Sequence, residues 1–315
     1  MWYILQRIFQ LIAVLIVSSF IVFGGLYLAP GNPESFLVQG RSVTPDVLAS
    51  IREQFGLDKP FLARYWDWIV GILQGDFGRS LTNRQDVGEM LASRLETSIW
   101  LVLYAAALIV LIGVGLGMLA GRFGGKLDAL ILWLTSFGVA VPTFFAALIL
   151  MLLLSVGAGW FPVFGSGSGG SALDRLHHLT LPAIALALPA AATVARVTRT
   201  SILAEKHSEH ALFAISRGID SNIVYGRHVV RNALLPVITV VGTNLAGLIA
   251  GAFVVEYAFS LDGLGSLLIE GVQRKDFAIV QAVSLILVAV FGVVNLIVDL
   301  SYSIIDPRVR LKGAN

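Results

Sequence analysis

Cysteine is absent from this 315-residue chain, so disulfides, thiolate metal sites and cysteine nucleophiles are excluded. Charge is scarce as well. Asp, Glu, Lys and Arg make up only 13% of the residues, against about 25% in soluble domains. No phosphate-binding loop of the form G-x-x-x-x-G-K-[ST] occurs. Its nearest approach, GRFGGKL at 121–127, lacks the first glycine and the hydroxyl after the lysine. Gly115, Gly117 and Ala120 imitate a dinucleotide fingerprint, but they lie inside an apolar run with no strand before them. The apolar runs contain no nucleophile, metal set or carboxylate pair, which argues against a membrane-embedded enzyme. The two halves show no internal similarity, which argues against a secondary transporter built from inverted repeats.

What remains is apolar: 57% of the residues, with a mean hydropathy of +0.83. Charge is missing from Ile8–Pro33, Thr97–Gly121, Ala129–Leu173, Leu176–Ala195, Asn232–Val255 and Phe277–Val298. About 20 apolar residues cross the ~30 Å hydrocarbon layer as a helix, so each run can hold one span. Gly157, Gly159, Pro162 and the GSGSGG stretch at 165–170 break the second half of the third run, which is therefore counted once. Lipid offers no hydrogen-bond partner to an open strand, and unbroken runs of this length fit helices. The expected fold class is an all-α membrane protein of six transmembrane helices. The first run is about twice as long as a signal-peptide core and lacks a small-residue cleavage site, so it reads as a retained helix.

Six spans place both termini on one side, together with the loops at 122–128 and 196–231. That side holds 12 Lys/Arg and 6 Asp/Glu, whereas the other holds 10 and 14. Basic residues collect on the cytoplasmic face, so the first side is expected to be cytoplasmic. Three regions follow: 1–29 as the N-terminal segment and first span, 30–96 as an outer insertion, and 97–315 as a five-helix core. In the insertion, Pro45–Phe55 reads as a helix capped by Thr44 and stopped at Gly56. Pro60–Gln74 reads as an amphipathic stretch lying on the bilayer with its aromatics at headgroup level, or as a docking surface for an outer partner.

The loop at 196–231 is the most informative stretch. Ser208 is expected to cap a short helix, Glu209 adds negative charge at its start, Arg217 sits at its end, and Gly218 supplies a left-handed stop. Ala211, Leu212 and Ile215 are expected on one stripe and Phe213 on another, so the helix has apolar groups facing two surfaces. Its own bundle can cover one. A partner protein is the natural cover for the other. Asp220 or Ser221 is expected to cap a second helix leading into the fifth span.

Here the sequence resembles the ABC importer permeases of the peptide and nickel branch. That branch shows E-x-V-x-x-A-x-A-x-G followed by R-H-x-x-R-N-A-x-x-P. Glu209, Ala214, Gly218, Arg227, His228, Arg231, Asn232, Ala233 and Pro236 stand at the matching positions. PGNP at 30–33, FGLDKPFLARY at 55–65, GDFGRSL at 75–81, E-x-x-F-x-x-x-G-x-G from Glu256 to Gly265 and DPR at 306–308 match as well. Asn32, Leu212, Ile215 and Asp262 depart from the pattern.

The resemblance implies a type I permease bundle in a bacterial inner membrane, importing di- or oligopeptides by alternating access. Nickel, a metal chelate or glutathione is the alternative cargo within the branch. Glu209, Ala211, Leu212, Phe213, Ala214, Ile215, Arg217 and Gly218 would form the ATPase-coupling helix. The implied partners are a homologous second permease, two cytoplasmic ATPase subunits, a periplasmic or lipid-anchored substrate-binding protein and membrane lipid, but no nucleic acid. This chain would be no enzyme and hold no cofactor, with ATP and Mg on the partner ATPases. Gly113, Gly117, Gly121, Gly247 and Gly251 form G-x-x-x-G steps suited to close helix packing. Pro142, Pro182, Pro189 and Pro236 are expected bend points. Thr143, Asn244 and Asn295 are candidates for the translocation path, with helix-to-helix hydrogen bonding as the equal alternative. No catalytic or metal-ligating residue is assigned. His207 and His210 fit partner contacts or solvated side chains, and His177 and His178 the outer mouth of the fourth span.

Overall fold

The computed structural model describes residues 2–28, 59–80 and 82–305. The expected helix at 45–55 and the motifs at 30–33 and 306–308 lie outside those residues. Every described element is helical apart from an isolated Arg79–Asp86 bridge. In chain order the helices are α1 (Trp2–Leu28), α2 (Phe61–Leu73), α3 (Val87–Phe123), α4 (Gly125–Ala140), α5 (Thr143–Gly157) and α6 (Ala172–Lys206). They continue with α7 (Glu209–Ser216), α8 (Ser221–Ala258), α9 (Leu264–Gln273) and α10 (Phe277–Ile305). Five of them are long and apolar enough to cross a bilayer, and α4 with α5 makes a sixth span if the pair is counted as one.

The third uncharged run is therefore not one straight helix. Its two parts meet at 109° across Val141 and Pro142. Proline has no N–H to donate and drives the residue before it out of helical geometry, and Val141 is extended at ψ 121°. The other three prolines do not end their elements: α6 continues through Pro182 and Pro189, and α8 through Pro236. The spans also overrun the uncharged runs, because a helix need not stop where the lipid does. Arg196–Lys206 prolongs α6, and Ser221–Arg231 begins α8. The expected 36-residue loop thus shrinks to the stretch around α7.

The chain divides into two compact units, residues 1–96 with 267–292, and residues 97–266 with 293–315. In the first, α2 lays Phe61, Tyr65 and Trp68 against Phe20 and Phe23 of α1, with ring centroids 5.3–5.6 Å apart. The Tyr65 hydroxyl also meets Ser19 Oγ at 2.8 Å. These rings thus cover one flank of the first span, and the face left exposed carries Leu62, Trp66 and Leu73. Asp276 is buried at the start of α10. Its carboxylate accepts from Ser80 Oγ at 2.6 Å, Thr82 N at 3.0 Å and Ile279 N at 3.4 Å, capping α10 and fixing the GDFGRSL turn in one stroke. Asp276→Ala would strand these donors. A loss of about 1–3 kcal/mol is expected, read as a lowered melting temperature of the purified protein.

The second unit is organised on α6. In its apolar segment 67% of the residues are buried, against 11–33% in the other four spanning helices, so α6 is the central helix. Small side chains make that possible: Ala183, Ala187, Ala190, Ala191 and Ala195 are buried and let neighbours approach. Gly113, Gly117 and Gly121 of α3 lie directly on this surface. A Cβ at Gly113 would come 2.9 Å from Ala191 O, one at Gly117 2.5 Å from Ala195 O, and one at Gly121 2.6 Å from Ile202 Cγ2. Gly251 of α8 likewise meets Leu186, whereas a Cβ at Gly247 would have nothing within 4 Å among the described residues.

Candidate functional site

The segment singled out in the sequence is the eight-residue α7, held between the C-terminal end of α6 and the N-terminal end of α8. Gly218 ends it with φ 78°, a conformation that costs glycine nothing. Asp220 starts α8 as expected, its carboxylate accepting from Asn222 N at 2.8 Å. Ser208 occupies the N-cap position but does not cap with its side chain. Its hydroxyl instead donates to Glu205 O at 2.6 Å, binding the turn back to α6.

One face of α7 is built into the protein. Ala211 and Ala214, 1% and 6% exposed, sit in a socket made by Ile202 of α6 and Val224, Val229 and Ala233 of α8. The expected grouping of Ala211 with Leu212 and Ile215 is therefore wrong, because the buried face follows the i, i+3 pair of alanines. His210 adds a polar edge, its Nε2 lying 3.1 Å from Asn232 Nδ2 and 3.2 Å from Glu205 Oε2. Asn232 and Ala233 of the R-N-A motif thus serve to seat α7.

The opposite face is bare. Leu212, Phe213 and Ile215 are 52%, 62% and 49% exposed, and the Arg217 guanidinium lies 5.3 Å over the Phe213 ring. Ile219 and Ile223 continue the exposed apolar surface. A second set of contacts stiffens the base around α7. Lys206 Nζ donates to Gly121 O and Arg122 O at the end of α3, at 3.1 and 3.2 Å. Arg122 donates to Asn222 Oδ1 at 3.0 Å and lies 4.9 Å over the Tyr225 ring. Force applied to the exposed face of α7 therefore meets three long helices at once.

The remaining assigned residues are dispersed. Thr143 opens α5 beside the bend, while Asn244 donates to Val240 O of its own helix at 2.7 Å. Asn295 is half-buried in α10. His207 ends α6, His177 meets Trp160 O at 2.9 Å, and His178 meets Asp174 O at 2.9 Å. Sequence reasoning missed Glu256, which is buried although it was counted as an outer charge. It accepts from Ser98 Oγ at 2.6 Å and Gly265 N at 2.7 Å, and Gly263 lies where any Cβ would strike its carboxylate. The E-x-x-F-x-x-x-G-x-G spacing is thereby explained, with Phe259 buried in the core and Gly265 against Phe253.

A central alanine-rich helix, glycine-packed neighbours and a half-seated short helix agree with the sequence comparisons. The family described as "Binding-protein-dependent transport system inner membrane component" matches residues 113–311, and its N-terminal counterpart matches residues 1–102. The chain belongs to this family. As an ABC importer permease of the peptide and nickel type, it is similar along its length to the glutathione transport system permease protein GsiC of Salmonella typhimurium. The two are 34% identical over 311 residues, covering 98% of this chain and 99% of the relative. The Escherichia coli protein of the same name is 32% identical over the same extent. The permease is thus a transport subunit, an inner-membrane component of a system that includes a substrate-binding protein and ATPase partners.

Proposed function

We propose that this permease forms half of the translocation path of an importer for di- and oligopeptides, and that it receives work from ATP hydrolysis on partner subunits through α7. The observation that carries this reading is the division of α7 into a seated alanine face and a bare Leu212, Phe213 and Ile215 face. ATP binding closes the ATPase pair and pulls α7, and the contacts to α3, α6 and α8 reorient the spans between outward and inward openings. A second, homologous permease completes the path. Gly247 suits that contact, since it keeps the G-x-x-x-G spacing and a Cβ there would have nothing within 4 Å among the described residues. Thr239 and Thr243 share its exposed row on α8, and with Thr143, Asn244 and Asn295 they supply the polar wall.

The loop and both termini face the cytoplasm in this reading, as the basic bias of that side supports. The absence of native cysteine gives a clean test. Ser216→Cys, exposed at the end of α7, should react with a membrane-impermeant maleimide only after the cells are opened. Labelling in intact cells would reverse the topology and remove α7 from the ATPases.

The cargo is a small peptide, and glutathione, itself a tripeptide, is the cargo named for the similar permeases. Uptake into proteoliposomes carrying both permeases, the ATPases and the binding protein should be ATP-driven for glutathione or a dipeptide. Transport confined to a nickel chelate would overturn the cargo class. Uphill pumping by this chain alone would overturn the division of labour.

A further inference from the structure

Two arginines one turn apart on α6 face α4, and only one of them is neutralised. Arg199 is fully paired: its Nε and one terminal nitrogen donate to the two carboxylate oxygens of Asp128, the latter at 2.6 Å. Arg196 has no such partner. Its Nε donates to Thr135 Oγ1 at 3.4 Å and a terminal nitrogen donates to Ser136 Oγ, and among the described residues no carboxylate lies within ion-pair distance. Both hydroxyls already donate to Leu132 O, at 3.1 Å from Thr135 and 2.7 Å from Ser136, so each turns a lone pair towards the guanidinium. The cation is aimed and held without being neutralised, and it keeps donors to spare, since a guanidinium has five.

Its position sharpens the point. Arg196 is the first charge after the uncharged run Leu176–Ala195, at the inner end of the central helix. Thr193 and Thr200 lie on the same face at three and four residues' distance, their hydroxyls bonded to Pro189 O and Arg196 O. Arg196, Thr193, Thr200 and Ser136 are all at least partly exposed within this chain. Polar and ionisable side chains at membrane depth face water or protein rather than lipid. A planar, unneutralised guanidinium beside such a surface is suited to a carboxylate, which it can bind through two parallel hydrogen bonds.

We propose that Arg196 is a cargo-binding residue at the inner mouth of the path, taking the carboxylate of an incoming peptide. The assignment rests on the peptide reading above. It makes the permease itself selective for anionic cargo, in addition to any choice made by the binding protein.

The test compares ATP-driven uptake of a free-acid peptide with that of its C-terminal amide, in proteoliposomes holding the complete importer. The ratio of the two rates is taken for the native chain and for R196Q and R196K. The binding protein is the same throughout, so its own preference cancels. R196Q is expected to lower the ratio about tenfold, the loss of one charge-assisted contact, and R196K to retain part of it. Complex size and melting temperature, measured for both variants, show whether α4 and α6 remain assembled. An equal fall for both peptides would overturn the proposal in favour of a bolt between α4 and α6. An unchanged ratio, accompanied by lost dependence on the anionic-lipid fraction of the vesicles, would overturn it in favour of a lipid contact. A native importer that moves neither peptide would sink the peptide reading as well, whereas intact transport with an unchanged ratio sinks only the role of Arg196.

Discussion

Phe213→Asp is expected to strip the ATPase subunits from the purified importer and to reduce ATP-driven uptake to background. Phe213 is 62% exposed in the isolated chain, so the substitution removes nothing from its own core. The entire effect then falls on the partner contact. Burying such a side chain is worth about 1.5–3 kcal/mol, and placing a carboxylate in the same socket adds a desolvation cost. The two together exceed a hundredfold in affinity. Ala214→Asp would fail differently: Ala214 lies in the socket within the chain, so that variant should lower the melting temperature of the permease alone. ATPase co-purification together with thermal stability separates the two faces of α7. Retention of the ATPases by a stable Phe213→Asp permease would remove α7 from the coupling role.

Gly117→Val should prevent stable assembly of the second unit. A Cβ at this position comes 2.5 Å from Ala195 O and closer still to the Thr198 side chain, and a backbone carbonyl on a central helix cannot turn aside. Overpacking of this kind costs about 1–3 kcal/mol for a single extra group, and valine adds two methyls beyond the first. A Cβ at Gly115, two residues earlier, would have nothing within 4 Å among the described residues. Gly115→Ala should therefore be neutral or slightly stabilising, since alanine is the better helix former by about 1 kcal/mol. Yield and melting temperature of the two variants, measured side by side, test whether α3 rests on α6 through its glycines.

These glycines mark how far the sequence could be followed. Their four-residue spacing shows on its face that some helix comes close, but the same spacing at Gly247 and Gly251 covers one residue packed on Leu186 and one facing outward. Spacing records the approach and not the partner. The spans were legible because charge is costly in lipid, yet the helix ends were not, since a helix leaving the bilayer can carry charges without ceasing to be a helix. Arg196–Lys206 looked like loop for that reason. Glu256 and Asp276 were counted only among the charges of one side, yet both are 1% exposed. For Asp276 a signal was present, an acidic residue directly before the apolar start of a helix, which is the N-cap position. For α7, the end signals at Gly218 and Asp220 were readable, but which apolar side faced inward depended on the socket formed by Ile202, Val224, Val229 and Ala233.

The unbroken length of α6 has a mechanical meaning. Thirty-five residues make a continuous helix of about 50 Å, some 20 Å longer than the hydrocarbon is thick, that carries Pro182 and Pro189 without a break. Ser171 caps one tip, its hydroxyl accepting from Asp174 N, and Ile202 near the other tip forms part of the seat of α7. A tilt of only about 5° around the midpoint displaces each tip by about 2 Å in opposite directions. On the proposed reading, opening on one side of the membrane and closing on the other would be a single seesaw motion, with no separate signal crossing the bilayer.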